Sequence, residues 1–189
     1  MYPLLKKYLS RDITITDEQF NAACNVFHLK RTKRNQVLVE PGDICRYMYF
    51  VNKGCLRIFL LDAHGKESTR FLVPDGRFGT SFPSFILQEP SLAYVQSVQA
   101  SELLIINYED FRRLPDFLPG WETAYRNILE QDYIDSIKRI ESLITTSATE
   151  RYALLIKDNP GLIKMLPTKI IADYLGISRE TLSRLKKRV

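Results

Sequence analysis

The sequence is poor in the residues that most often carry catalysis or hold metals. It has three cysteines, Cys24, Cys45 and Cys55, and two histidines, His28 and His64. The cysteines are odd in number, widely spaced and outside any C-x-x-C pattern. Zinc and cluster sites need close-set thiols or imidazoles, so no metal site is expected. Reduced thiols, some of them in the core, are expected instead of a disulfide. There is also no Ser-His-Asp order, no P-loop and no recognisable acid–base pair, which argues against an enzyme and against a bound cofactor. No segment approaches the roughly 18 unbroken apolar residues of a membrane helix. Met1–Ser10 carries Lys6 and Lys7 but no apolar signal core. The expectation is a cytoplasmic protein with no membrane partner.

What is present is an ordinary globular composition. The 189 residues are 45% hydrophobic and 26% charged, enough for one well-packed domain or two small ones. The formal charge of +5 is a weak hint of nucleic acid, but its placement is a stronger one. The last eleven residues hold Arg179, Arg184, Lys186, Lys187 and Arg188 against Glu180 alone.

The texture changes twice along the chain. Thr16 or Asp17 can cap a first helix through Phe20 and Cys24, with Gln19 at a capping-box spacing from Thr16. From His28 to about Tyr108, short β-branched and aromatic runs alternate with turn residues. The runs are Gln36–Val39, Tyr47–Val51, Cys55–Leu61, Ser68–Val73, Tyr94–Val98 and Leu103–Ile106. That spacing predicts a sandwich, jelly roll or barrel. Leu56–Leu61, the turn Asp62–Gly65 and Lys66–Val73 predict a hairpin.

After Tyr108 the pattern becomes helical. A short helix over Glu109–Phe111 should stop before Pro115, and Pro119 should open a long one. Trp121, Tyr125, Leu129, Tyr133, Ile137, Ile140 and Ile144 recur at spacings of three and four. Such a stripe on a long helix between two compact parts suits burial against a symmetry mate, so these residues are the candidate dimer interface. Thr146 or Ser147 then caps Ala148–Lys157, and Asn159-Pro160-Gly161 should end it.

The segment Leu166–Val189 reads as helix, tight turn, helix. Thr168 is the expected cap of the first helix, with Ile170, Ile171, Ala172, Tyr174 and Leu175 as its apolar face. Gly176 permits the turn, and Ser178 caps the second helix. Leu182 and Leu185 anchor that helix, leaving Arg179, Glu180, Ser183, Arg184 and Lys187 outward. A helix fits the major groove, where Arg pairs with guanine and Glu accepts from cytosine. Lys186, Lys187 and Arg188 suit phosphates. The candidate DNA-binding set is therefore Thr168, Ser178, Arg179, Glu180, Ser183, Arg184, Lys186, Lys187 and Arg188.

The run ISRETLSRL at Ile177–Leu185, with Ile171-Ala172 and Leu175-Gly176 before it, resembles the recognition element of the cyclic-AMP receptor and fumarate–nitrate regulator (Crp/Fnr) family. The resemblance extends over nearly the whole chain. Pro41–Asp43, the Asn52-Lys53-Gly54 turn, Pro74–Gly79, the long helix and Ala148–Tyr152 follow the family's order. The chain looks most like short, wingless members of the Bacteroidetes type. The resemblance implies an α+β fold: a jelly-roll cyclic-nucleotide-binding-like sensor domain over 1–115, a dimerisation helix over 116–145 and a helix-turn-helix DNA-binding domain over 146–189. It also implies a homodimer on palindromic double-stranded DNA, with Arg179, Glu180 and Arg184 at base-reading positions and RNA polymerase a candidate partner.

The departures from the family concern the effector. The family grips cyclic AMP with a Glu after a Gly and with an Arg-Ser pair further on. Here Thr80 follows Phe78-Gly79, and Pro90-Ser91-Leu92 stands where the Arg-Ser would be. An anion without a cationic partner is poorly held, so tight binding of cyclic AMP is not expected. Phe78, Gly79, Thr80, Phe82, Ser91 and Tyr94 are the candidate pocket for another small molecule, while Phe85 and Ile86 add to an aromatic, apolar region that is expected, by a small margin, simply to fill the barrel. Arg70 and Arg77 read as exposed strand or turn residues. The overall reading is a transcription regulator whose effector is not cyclic AMP. A small-molecule sensor with a vestigial DNA element is the alternative.

Overall fold

The computed structural model describes residues 2–187. Two short helices come first, α1 (Pro3–Leu9) and α2 (Asp17–Cys24). Pro3 opens α1 at a position that lacks an intrahelical N–H partner anyway, so the helix tolerates it. Thr16 and Gln19 cap α2 reciprocally, as their spacing predicts.

Eight strands follow, interrupted by one helix. They are β1 (His28–Thr32), β2 (Val37–Val39), β3 (Tyr47–Lys53), β4 (Cys55–Leu61), β5 (Glu67–Pro74), β6 (Phe78–Gly79), then α3 (Phe82–Leu87), β7 (Tyr94–Ser97) and β8 (Ser101–Asn107). They form two antiparallel four-stranded sheets, ordered β1-β8-β3-β6 and β2-β7-β4-β5. Tyr49, Phe50, Leu56, Phe85, Leu103, Leu104 and Ile106, all essentially without solvent contact, belong to one apolar core that the strands share with α1, α2 and α3. The predicted hairpin is β4–β5, with Leu56 opposite Val73 and Leu61 opposite Glu67. The β3–β4 turn requires its glycine. Gly54 has φ +116°, and a Cβ there would fall 2.1 Å from Ser101 Oγ.

The helical half comprises α4 (Tyr108–Arg112), α5 (Leu114–Phe117), the 25-residue α6 (Trp121–Thr145), α7 (Ala148–Asp158), α8 (Pro160–Met165), α9 (Thr168–Leu175) and α10 (Arg179–Lys186). Asn107, Ser147 and Ser178 each accept a backbone N–H from three residues on, capping α4, α7 and α10.

Several local expectations need correction. α7 ends at its cap, Asn159, as expected, but Pro160 then begins α8, a helix not expected from the sequence, because a proline suits the first turn of a helix. The cap of α9 is Pro167, not Thr168, which is the first helical residue and makes no capping bond. Pro119 does not sit in the first turn of α6, which starts at Trp121 after Gly120 at φ +86°. Strands β1 and β6 lie outside the predicted runs. A polar edge strand, HLKRT, and a two-residue strand carry little periodic signal.

A second apolar cluster holds the C-terminal helices together. Tyr152, Leu155, Leu162, Leu166, Ile170, Ile171, Ala172, Leu175, Leu182 and Leu185 are buried in it. Cys55 and Val98 of the β-roll join the same cluster, and Leu72 packs on it. The helix-turn-helix thus rests on the β4–β5 face. Burial within that contact pushes the Cys55 thiol up to about 12.

Candidate nucleic-acid interface and ligand cavity

The turn between α9 and α10 fixes the outer helix. Gly176 adopts φ +69° and caps α9 in the left-handed conformation. The N–H of Ile177 donates to the Ala172 carbonyl at 3.0 Å, closing the end of α9. Leu182 and Leu185 are buried beneath α10, and Ala172, 1% exposed, lets the two helices approach. The opposite side of α10 faces solvent: Arg179, Glu180, Ser183, Arg184, Lys186 and Lys187 are all exposed.

Arg179, Glu180, Ser183 and Arg184 share a shallow open concavity with Thr168. Thr168 is also tied to the outer helix, since Lys186 Nζ donates to its Oγ1 at 3.3 Å. Ser178 is occupied as the cap of α10, its Oγ accepting the Thr181 N–H at 3.1 Å. Hydrogen bonding from Ser178 holds the Glu180 carboxyl below its ordinary range, so it is an acceptor at neutral pH. Arg188 lies outside the described residues.

The stripe on α6 divides in two. Trp121 is buried in its own protomer, edge-on to Phe111 and stacked on Tyr125. Trp121 therefore belongs to the core of its own β-roll rather than to an open face of α6, and Tyr125 packs partly buried against that core. The spacing of a stripe defines a face, but not what covers it. Leu129 is partly buried and Ile137 is exposed, while Tyr133, Ile140 and Ile144 are 69%, 54% and 78% exposed. Ile134 and Leu143 add to the same bare half.

A half-open cavity of about 420 Å³ lies between β5 and α6, within the ordinary range for small-molecule sites. Of the aromatic side chains expected to fill the barrel, Phe85 is packed without solvent contact, while Phe78 and Phe82 line this cavity. Four of the six expected residues line it: Phe78, Gly79, Thr80 and Phe82. Ser91 and Tyr94 do not. Ser91 Oγ is buried and bonded to Ser81 Oγ at 2.7 Å and to both the N–H and carbonyl of Ala93. Tyr94 stacks on Phe59 with ring centroids 4.8 Å apart.

The remaining walls are mostly apolar. Met48, Ile58, Phe71 and Val73 come from the strands, and Tyr125, Ile128, Leu129 and Tyr133 from α6. The polar groups are Arg70, Arg77, Asp132 and Ser136. Arg70 and Arg77 are exposed, as expected of strand and turn residues, yet both border the opening. Burial raises the Asp132 carboxyl above its ordinary range, while Arg77 pulls it back. Asp132 and Ser136 flank the stripe residue Tyr133, and nothing in their sequence context marks them as cavity residues.

The two family contacts to cyclic AMP that the resemblance implies have no counterpart at Thr80 and Ser91. Thr80 supplies no carboxylate, and its hydroxyl is committed, donating to the Tyr47 carbonyl at 2.8 Å beside Cys45 Sγ at 3.0 Å. Ser91 supplies no guanidinium and points elsewhere. Among the described residues no group of three or more His, Cys, Asp or Glu could hold a metal ion. Likewise, no helix there is long and apolar enough to cross a membrane.

Comparison with known proteins defines the class first. Residues 29–116 match the cyclic nucleotide-binding domain family. The cAMP-activated global transcriptional regulator CRP of Salmonella typhimurium is 24% identical over 184 residues, covering 91% of this chain and 85% of its own. Among solved structures, the c-di-GMP responsive global regulator CLP of Xanthomonas campestris superposes with a TM-score of 0.71 at 19% identity, over 90% of this chain and 89% of its own. The catabolite activator protein of Thermus thermophilus gives 0.61 at 22%, over 96% and 85%. The chain thus carries an antiparallel cyclic-nucleotide-binding-like domain and a long helix, and over most of its length it is similar to Crp/Fnr-type transcription regulators.

Proposed function

We propose that this regulator is a homodimer that reads a palindromic DNA site through α10, under the control of a small molecule other than cyclic AMP. The observation that carries the proposal is the exposed face of α10, with Arg179, Glu180, Ser183 and Arg184 outward and Leu182 and Leu185 buried behind them. Residues 1–115 act as the sensor, 116–145 as the dimerisation helix and 146–189 as the DNA-binding unit. The bare apolar half of α6 supports the dimer. The cavity between β5 and α6 supports an effector, with RNA polymerase a further partner and the cytoplasm the working compartment.

In a symmetric dimer the half-sites lie about 34 Å apart, one DNA turn. Selection from random duplexes with purified protein should return a palindrome of that spacing. Arg179→Ala and Arg184→Ala should then weaken the selected site by about 1–3 kcal/mol, leaving random DNA much less affected. Lys187→Ala should weaken both alike, because phosphates carry no sequence. Equal losses on both DNAs for all three variants would refute these roles. A thermal shift with a metabolite, but no selected sequence, would favour the sensor with a vestigial DNA element.

A further inference from the structure

We propose that Glu67 and Arg139 form a two-point latch that seats the helix-turn-helix on the β-roll and couples that seat to occupancy of the cavity. The coupling rests on reading the cavity as an effector site. The latch does not.

Glu67 is the first residue of β5. Its carboxylate accepts from Arg57 Nη1 of β4 at 2.7 Å and from Lys169 Nζ of α9 at 2.8 Å. The Arg57 side chain is 7% exposed, so Glu67 holds one buried cation while it ties down another from the helix-turn-helix. Burial alone would raise the Glu67 carboxyl, but the Lys169 and Arg57 partners outweigh it and hold the group below its ordinary range.

Arg139 makes the second point. One Nη2 donates to the Thr69 carbonyl of β5 at 3.1 Å and to the Tyr174 carbonyl of α9 at 2.6 Å. Its guanidinium also lies 3.8 Å from the centre of the Tyr174 ring. A cation suits the carbonyl end of a helix and an aromatic face. A single side chain thus joins α6, β5 and α9.

The same two elements enclose the cavity. β5 lines it with Arg70, Phe71 and Val73, and α6 with Leu129, Asp132 and Ser136. Arg139 stands about one helical turn beyond Ser136. The spacing between β5 and α6 is therefore shared by the cavity and the latch. A ligand that fills the cavity in this arrangement favours it over others, and a secure latch favours the ligand by the same factor. Glu67 and Arg139 lie outside the exposed face of α10.

Hydrogen exchange on the full chain tests this. The variants are Arg139→Gln and Glu67→Gln, with Arg126→Gln as control, since Arg126 is exposed and, among the described residues, pairs only with Glu130 on its own helix. The cavity probe is 1-anilinonaphthalene-8-sulfonate, an aromatic anion suited to apolar walls with arginines at the opening. Its fluorescence should be lost in Ser136→Trp, which obstructs the cavity. Amides of α9 should exchange about tenfold faster in both latch variants, with those of β3 and β8 unchanged. The probe should slow α9 exchange in the native protein but not in Arg139→Gln, where its affinity should fall severalfold. Arg139→Lys, which keeps the cation but loses the fork, should fall between; it decides the matter if Arg139→Gln unfolds the β-roll. Native-like α9 exchange in the variants would overturn the latch. Equal slowing by the probe with and without Arg139 would overturn the coupling. If the probe does not enter the cavity, the effector reading and the coupling fall together, and exchange without probe still decides the latch.

Discussion

At the scale of single residues, the angle between α9 and α10 depends on Gly176. Its φ of +69° is one that residues with a Cβ adopt at a cost, and an added Cβ would touch Leu143 Cδ2 at 3.4 Å. Leu143 lies near the end of α6, so this turn is also where the long helix meets the helix-turn-helix. Gly176→Ala should destabilise the protein by about 1–2 kcal/mol, mostly from the left-handed backbone. Urea unfolding would measure it. An unchanged midpoint would mean the turn relaxes to another conformation. In that case α10 should move as well, and affinity for a selected DNA site should fall without any change at Arg179 or Arg184.

At the scale of elements, α6 does two jobs with one stripe. Its first turns bury Trp121 against Phe111, while its later turns leave Ile140 and Ile144 in solvent. The steps from Tyr133 to Ile137, Ile140 and Ile144 are four, three and four residues, the spacing of a coiled-coil seam. Ile140→Asp should place a charge inside that seam and shift the protein to monomers in sedimentation velocity, without loss of the β-roll's melting transition. A native protein that sediments as a monomer at micromolar concentration would defeat the dimer proposal. The contrast between the two ends of α6 shows what could be read from sequence. Capping boxes at Thr16 and Ser147, the β4–β5 hairpin and the α9–turn–α10 unit were readable because each is written within a few neighbouring residues. The role of Trp121 was not, because Phe111 reaches it through tertiary packing. The cavity was not either, because it is a space left between β5 and α6, segments far apart in the chain. The latch has the same origin: Glu67 on β5 and Lys169 on α9 are far apart in the chain, and no local pattern pairs them.

At the scale of the whole molecule, the seat of the helix-turn-helix should respond to acid through Glu67. The groups around that carboxylate are Arg57 on β4, and Lys169 and Asp173 on α9. Because the folded Glu67 titrates below the ordinary glutamate value near 4.5, its ionised form stabilises the folded protein. That contribution is complete well above 4.5 and is lost as pH falls through the lowered folded value. Asp173 acts in the other sense. Burial raises its carboxyl, its Oδ2 has no hydrogen-bond partner among the described residues, and its contribution shrinks as pH rises. Melting of the native protein alone would mix the two. Subtracting Glu67→Gln removes the burial part of the Asp173 contribution, which is present in both, and leaves Glu67 together with the part of the Asp173 shift that Glu67 itself causes. The native protein should melt higher than Glu67→Gln by a constant margin from pH 7 down to about 5, and the margin should shrink below that. A margin that instead widened towards acid would mean that Glu67 is protonated in the folded state and that Lys169 is held by something else.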